Sequence, residues 1–205
     1  MRFFFIVYKS FRKVWNRIMH AIDSLFTHVI LLGNGVTYSA IITKGIPYVM
    51  VSRGAKGITL GKNFAMNNGV KANPIGCYER CTLFVSPNAG ITIGDNVGIS
   101  QAALIAVDSD ITIGNNVKIG GGTQLLTSDF HSLDFIKRRS YNDEKERISA
   151  PIIIEEDVFI GTHCIVLKGI TVGARSVIGA GSVVTQSIPS DEIWGGNPAK
   201  FIRKV

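Results

Sequence analysis

The chain has 205 residues, 46% of them hydrophobic and 18% charged, enough for one sizeable soluble core or one repeat domain. A formal charge of +7 and a pI near 9.5 favour acidic partners, whether nucleic acid, anionic lipid or a polyphosphate cofactor, and charge alone does not choose among them. Three cysteines, Cys77, Cys81 and Cys164, make no even disulfide framework and lack the second pair of a structural zinc site, so they read as reduced, buried thiols in a cytoplasmic protein.

In chain order, residues 3–32 come first and differ from everything after them. Phe11, Val14, Trp15, Ile18, Met19, Ile22, Leu25, Phe26 and Val29 recur at spacings of three and four, while Lys9, Arg12, Lys13, Asn16 and Arg17 favour the opposite side. That pattern predicts a basic amphipathic helix. The apolar run at residues 3–8 is short, is followed by lysine and arginine, and ends on no small-residue cleavage site, unlike a signal peptide. A spanning helix would need about 20 uninterrupted apolar residues. Three roles stay open for the predicted helix: packing over the end of the next domain, contact between subunits, or a peripheral contact with an anionic membrane surface.

A second rhythm starts at Ile58. "ITLGKNFAM" there is a weak copy of "ITIGDNVGIS" at Ile91 and "ITIGNNVKIG" at Ile111, with residues 74–89 fitting poorly and read as an irregular coil. An aliphatic residue recurs every six positions at Ile93, Ile99, Ile105 and Ile111, slips by two, and restarts at Ile113, Ile119 and Leu125. The copies at Ile91 and Ile111 are 20 residues apart (111 − 91), so one coil of three six-residue faces carries two extra residues at a corner. From Ile154 the period runs unbroken through Ile160, Val166, Val172, Ile178 and Val184, with small or apolar Val158, Cys164, Ile170, Ser176, Ser182 and Ile188 four places after each. Period six fits neither the 3.6 of a helix nor the two of a long strand. It fits short strands and tight turns stacked as a prism. Gly161, Gly173 and Gly179, each just after an inward aliphatic, are expected where the backbone turns with positive φ.

These residues resemble the hexapeptide-repeat acyltransferases, whose signature is an aliphatic, often glycine, two variable positions and a small residue. The resemblance implies an all-β fold, a left-handed parallel β-helix commonly assembled as a homotrimer, over residues 58–205. Residues 1–57 would then be a helical and irregular N-terminal segment, 127–151 a loop insertion and 189–205 a C-terminal tail.

The loop, "TSDFHSLDFIKRRSYNDEKERISAP", is the one long polar interruption of the repeat. Its "SDFHSLD", with the later "GAGSVVTQSIPSDEIWGGNPAKFIRKV", is similar to the sugar O-acetyltransferases of the maltose, galactoside, capsule and lipopolysaccharide branch. The resemblance implies that His131 is the general base. The chemistry agrees, because a sugar hydroxyl is a poor nucleophile near neutral pH and an imidazole can take its proton. Asp129 and Asp134 flank His131 in sequence, and either, or a backbone carbonyl, could fix its tautomer; Asp129 is carried as the second catalytic candidate. On the acceptor side, Asp108 stands where related enzymes have an acidic contact, and Ser100 where they carry asparagine. The basic run Lys137, Arg138 and Arg139, with Lys145 and Arg147 beyond, would draw an anionic acceptor toward His131. For the donor, acetyl-CoA as co-substrate with no metal, the resemblance places Phe159, Gly161, Thr162, Ala180, Thr185 and Gln186 along the pantetheine groove. The family's lysine is absent at Gln186, so Lys200 and Arg203 are expected to take over the phosphates.

The function expected is CoA-dependent acetylation of a sugar hydroxyl, in capsule, lipopolysaccharide or other surface-glycan biosynthesis, with a glycan acceptor and no nucleic acid. An N-acetyltransferase of a nucleotide-linked amino sugar keeps the chemistry, although the residues before Ile58 lack a Gly-rich strand-turn-helix motif for a nucleotide. A β-helix zinc lyase needs three histidines on one metal, and of His20, His28, His131 and His163 the first two fall in the predicted helix. A non-catalytic scaffold is the remaining class, and the retained His131 argues against it.

Overall fold

A computed structural model describes residues 2–205. Helix α1 (Arg2–Gly33) leads into short strands that visit three sheets in cyclic order, so a strand pairs with the one three steps on until the C-terminal end of the stack, where Val177–Ile178 pairs with Glu192–Gly195. The first face holds Thr37–Tyr38, Gly57–Leu60, Gly90–Ile93, Ile111–Ile113, Ile152–Ile154 and Thr171–Val172. The second holds Ile41–Lys44, Phe64–Asn67, Gly98–Ser100, Lys118–Ile119, Phe159–Ile160, Val177–Ile178, Glu192–Gly195 and Lys200–Lys204. The third holds Tyr48–Val51, Thr82–Val85, Ala103–Ala106, Gln124–Leu126, Ile165–Val166 and Val183–Val184. Within these sheets the strand pairings of the described residues are parallel except the last, Glu192–Gly195 with Lys200–Lys204, a hairpin inside the expected C-terminal tail.

The three faces share one apolar core. Ile154, Ile160, Val166, Val172, Ile178 and Val184 are all fully buried in it, as period six requires. Each such side chain contributes roughly 1.5–3 kcal/mol by leaving water. The earlier coils depart from the simple count. Leu104 and Ala106 point inward while Ile105 is only half-buried, because Leu104, not Ile105, pairs in register with Leu125. The step from Ile99 to Leu104 is thus one shorter than from Ile119 to Leu125, and that from Leu104 to Ile111 is longer than from Val166 to Ile170 (7 against 4). The connection from the third face to the first, the one from which the long loop later leaves, therefore carries three extra residues (7 − 4) and the connection before it one fewer (5 − 6), which gives the net two.

Two expectations need correction. The stack begins at Thr37, not Ile58: Thr37 pairs with Thr59, Ile41 with Phe64 and Tyr48 with Thr82, so part of the segment expected to be helical or irregular is a full coil. Its inward positions include Val36, Thr43 and Val49, and the threonine hides the aliphatic period. Likewise the stretch read as irregular at 74–89 contains strand Thr82–Val85, after a bulge that buries Cys77 and Cys81.

Positive φ is also supplied by residues other than those expected. Gly161, Gly173 and Gly179 do not have it. The turns from the first to the second face carry it on Asn63, Asn96, Asn116, Asp157, Arg175 and Asp191, with φ between 57° and 64°. Asparagine and aspartate, five of these six, tolerate this conformation, and the asparagines bond along the stack: Asn63 Nδ2 donates to Asn96 Oδ1 (3.0 Å) and Asn96 Nδ2 to Asn116 Oδ1 (3.1 Å). Gly161 is needed for a different reason, since a Cβ there would lie 2.6 Å from the backbone N of Ala180 in the next coil.

Candidate active site

The loop 127–151 leaves the third face and returns to the first through a zipped base. Ser128 and Ser149 form an antiparallel bridge, Ala150 N donates to Thr127 O (2.9 Å), and Asp129 N donates to Ile148 O (3.1 Å). Inside it lie two elements that the period could not reveal: a single helical turn α2 (Phe135–Arg138), capped by Asp134 Oδ1 accepting from Ile136 N (2.8 Å), and a 3₁₀ turn, Asp143–Glu146. Phe130 adopts φ 66°, costly for an aromatic residue, and the chain reverses there just before His131.

His131 is held by Asp143. Its Nδ1 lies 2.9 Å from Asp143 Oδ2, with the imidazole side chain 68% exposed and the carboxylate side chain 14%. A carboxylate only accepts, so Nδ1 is the donor of this bond, and in the neutral ring Nε2 is the nitrogen left to accept. Neither flanking aspartate does this work. Asp129 Oδ1 instead pairs with Lys168 Nζ at 2.6 Å, its Oδ2 buried with no hydrogen-bond partner among the described residues, and Asp134 caps α2. The assignment of Asp129 beside His131 is thereby corrected: residues adjacent in an irregular loop point in different directions, and the partner comes from twelve positions downstream.

The basic residues mostly brace the loop. Arg138 donates to the carbonyls of Ser132 (2.8 Å) and Leu133 (3.3 Å), Lys137 pairs with Glu146 (2.8 Å), and Arg139 sits over the Phe135 ring. Arg147 ties the loop to the solenoid, its Nε and NH2 both 2.7 Å from Asp108 Oδ2. Asp108 itself has φ 53°, and its backbone N–H donates to Ser86 Oγ (2.8 Å).

Ser100 is not beside Asp108. It lies at the connection from the second face to the third, where its Oγ accepts from Asn67 Nδ2 (3.0 Å) and Asn73 Nδ2 (3.1 Å). There it lines a shallow cavity of about 230 Å³ with Lys118 and the half-exposed ring of Phe159. A common acceptor pocket for Ser100 and Asp108 within one chain is therefore corrected, because the two occupy different edges of the solenoid.

A family profile described as the hexapeptide repeat of succinyl-transferase matches residues 151–186. A crystal structure of a hexapeptide-repeat containing acetyltransferase from Vibrio cholerae is 40% identical, the match covering 60% of this chain and 69% of that one with a TM-score of 0.51. The chain belongs to the hexapeptide-repeat acetyltransferases. A structure of the same Vibrio protein complexed with acetyl coenzyme A matches over 86% of this chain and 74% of that one, at 28% identity and a TM-score of 0.52. The galactoside O-acetyltransferase of Escherichia coli is 35% identical over 123 residues, 60% of this chain and 58% of that enzyme. The chain spans about half the length of the curated relatives it matches.

In this hexapeptide-repeat chain the residues expected on the donor side fall into three groups. Gly161, Thr162 and Ala180 stack at the turns from the second face to the third, where Thr162 Oγ1 donates to Gly121 O (2.6 Å) and Ala180 is exposed. Thr185 and Gln186 are exposed at the connection from the third face to the first, on the same edge as the His131 loop. Lys200 and Arg203 are exposed on the last strand of the second face, and an Arg203 NH1 donates to Lys204 O (2.8 Å). Sequence reading missed Asp143, Arg147 and Lys168. Only Arg147 carried a signal, as part of the basic run, and it was read for attraction rather than for anchoring.

Proposed function

We propose that the protein transfers an acetyl group from acetyl coenzyme A to a sugar hydroxyl of a surface glycan, in capsule, lipopolysaccharide or related biosynthesis, as a cytoplasmic homotrimer of left-handed β-helices. The observation that carries this reading is the His131–Asp143 contact of 2.9 Å, on the long loop that leaves the solenoid at Thr127, with the imidazole open to solvent. Nε2 accepts the hydroxyl proton as the sugar oxygen forms its bond to the thioester carbonyl carbon. The tetrahedral intermediate then collapses, the C–S bond breaks, and the imidazolium returns the proton to the CoA thiolate. Asp143 stabilises the imidazolium between these steps and holds its ring in place.

The named relatives support the reaction class: the Escherichia coli enzyme is a galactoside O-acetyltransferase, and the Vibrio protein was solved with acetyl coenzyme A. The pantetheine arm would run past Phe159, Thr162 and Ala180, with Thr185 and Gln186 on the loop side and Lys200 and Arg203 toward the phosphates. Arg139 and Ser100 remain on the acceptor side, and Asp108 contributes there by holding the loop through Arg147. The homotrimer is supported by the separation of these groups in one chain. Phe159 and Ser100 belong to the second face and His131 to the edge between the third and first, so a neighbouring copy can bring the two together.

The test is thiol release from acetyl coenzyme A against free, nucleotide-linked and lipid-linked sugars. Acceptor-dependent release should appear with at least one sugar and fall roughly 10²–10⁴-fold in His131→Ala. Release that needs no acceptor, or that is unchanged in the variant, overturns the proposal.

A further inference from the structure

Helix α1 (Arg2–Gly33) turns its apolar stripe away from the solenoid. Helical spacing puts Phe11, Trp15, Ile18, Ile22, Leu25 and Val29 on one side, and all six are between 40% and 66% exposed. The helix is anchored by its opposite side near its end, where Thr27 and Leu31 are fully buried and Thr27 Oγ1 donates to Gly45 O (3.3 Å). A helix that capped the solenoid with its apolar face would bury that stripe. This one leaves it open along its length.

The polar side is of one sign. Lys9, Arg12, Lys13 and Arg17 lie on it, and no acidic residue occurs before Asp23. Arg12 and Arg17 border the stripe on its two edges, and Phe11 stacks on Trp15 with ring centroids 6.3 Å apart. Pairing stripe to stripe with a second copy would bring these cationic edges together with Asp23 the one carboxylate of the helix to offset them, whereas coiled-coil flanks mix both signs. An aromatic-rich apolar side with a basic opposite side is what an anionic bilayer surface takes up. Among the described residues no helix is long and apolar enough to cross a membrane.

We infer that α1 lies in the plane of a membrane surface rich in anionic headgroups, its stripe among the upper acyl chains and Lys9, Arg12, Lys13 and Arg17 against the phosphates. The inference is independent of acetyl transfer. The full chain is sedimented with vesicles of phosphatidylcholine alone and of a two-to-one mixture of phosphatidylcholine and phosphatidylglycerol. Binding should be at least about tenfold tighter to the mixed vesicles and should weaken as salt rises. Trp15→Glu with Ile18→Glu should abolish it, and replacing the four basic residues by glutamine should remove the preference for phosphatidylglycerol. Both variants should keep the wild-type circular dichroism, since the altered side chains do not touch the solenoid core. Equal binding to the two vesicle types, binding to neither, or binding unchanged in the Trp15→Glu, Ile18→Glu variant overturns the inference. A drop in oligomer mass in that variant, with no vesicle binding by the wild type, assigns the stripe to a second copy instead and overturns it equally.

Discussion

Nδ1 of His131 and Oδ2 of Asp143 lie 2.9 Å apart although they stand twelve positions apart in the loop, with α2 between them. The 3₁₀ turn that begins at Asp143 presents the carboxylate, and the reversal at Phe130 precedes the imidazole. Asp143→Ala should lower kcat about ten- to a hundredfold with little change in KM, a part of the 10²–10⁴ that a positioned acid–base group supplies. Asp129→Asn, beside His131 in sequence, should have the smaller effect on kcat. Steady-state kinetics of the two variants decide the matter, and the reverse order would return Asp129 to the role first expected of it.

Arg147 and Asp108 form the tie between loop and solenoid. Both are partly exposed, so the pair itself is worth only about 1 kcal/mol or less. Its loss should show locally: Arg147→Ala is expected to leave the melting temperature nearly unchanged while raising hydrogen exchange and proteolytic cutting within residues 128–149, and lowering kcat/KM. Protection of the loop equal to the wild type would show that the base of the loop holds it unaided.

Glycines in equivalent places of the repeat should respond differently. A Cβ on Gly161 would meet the Ala180 backbone N at 2.6 Å, whereas on Gly179 the nearest atom, Trp194 O, is 3.5 Å away. Backbone cannot move aside as a flexible side chain can, so Gly161→Ala should cost about 1–3 kcal/mol and Gly179→Ala well under that. Urea denaturation of the two variants provides the comparison.

Asp191 accepts from Arg175 Nε (2.6 Å) and NH2 (2.8 Å), and that hydrogen bonding holds its carboxyl below the usual 3.8. A carboxyl depressed in the folded state stabilises above its unfolded pKa, and this contribution is lost as pH falls through the folded value. Asp191→Asn keeps a side chain suited to φ 64° and removes the charge. The stability difference between wild type and variant should therefore be constant above about pH 5 and shrink in acid, as thermal melts across pH 2–7 can show.

Much of the solenoid was legible because its core obeys a count. Ile154, Ile160, Val166, Val172, Ile178 and Val184 fill equivalent places in successive strands, and burial selects aliphatic residues there whatever the function. The count fails at Thr43, where an inward place is polar and the expected start of the stack fails with it, and at Ile105, where the register moves by one. His131 was legible through its motif. Asp143 was not, since no period relates positions inside an irregular loop.

Sequence by itself determined the three-faced stack of short strands, the exit of a polar loop at Thr127, the histidine it carries and the amphipathic pattern of α1, because periodic burial and side-chain chemistry are local properties of the string. Tertiary structure alone decided which carboxylate meets His131, that Asp108 anchors a loop through Arg147, that Ser100 lies on another edge, and which side of α1 is left uncovered. Those are contacts between residues whose separation follows no repeat, and only the path of the folded chain brings them within bonding distance.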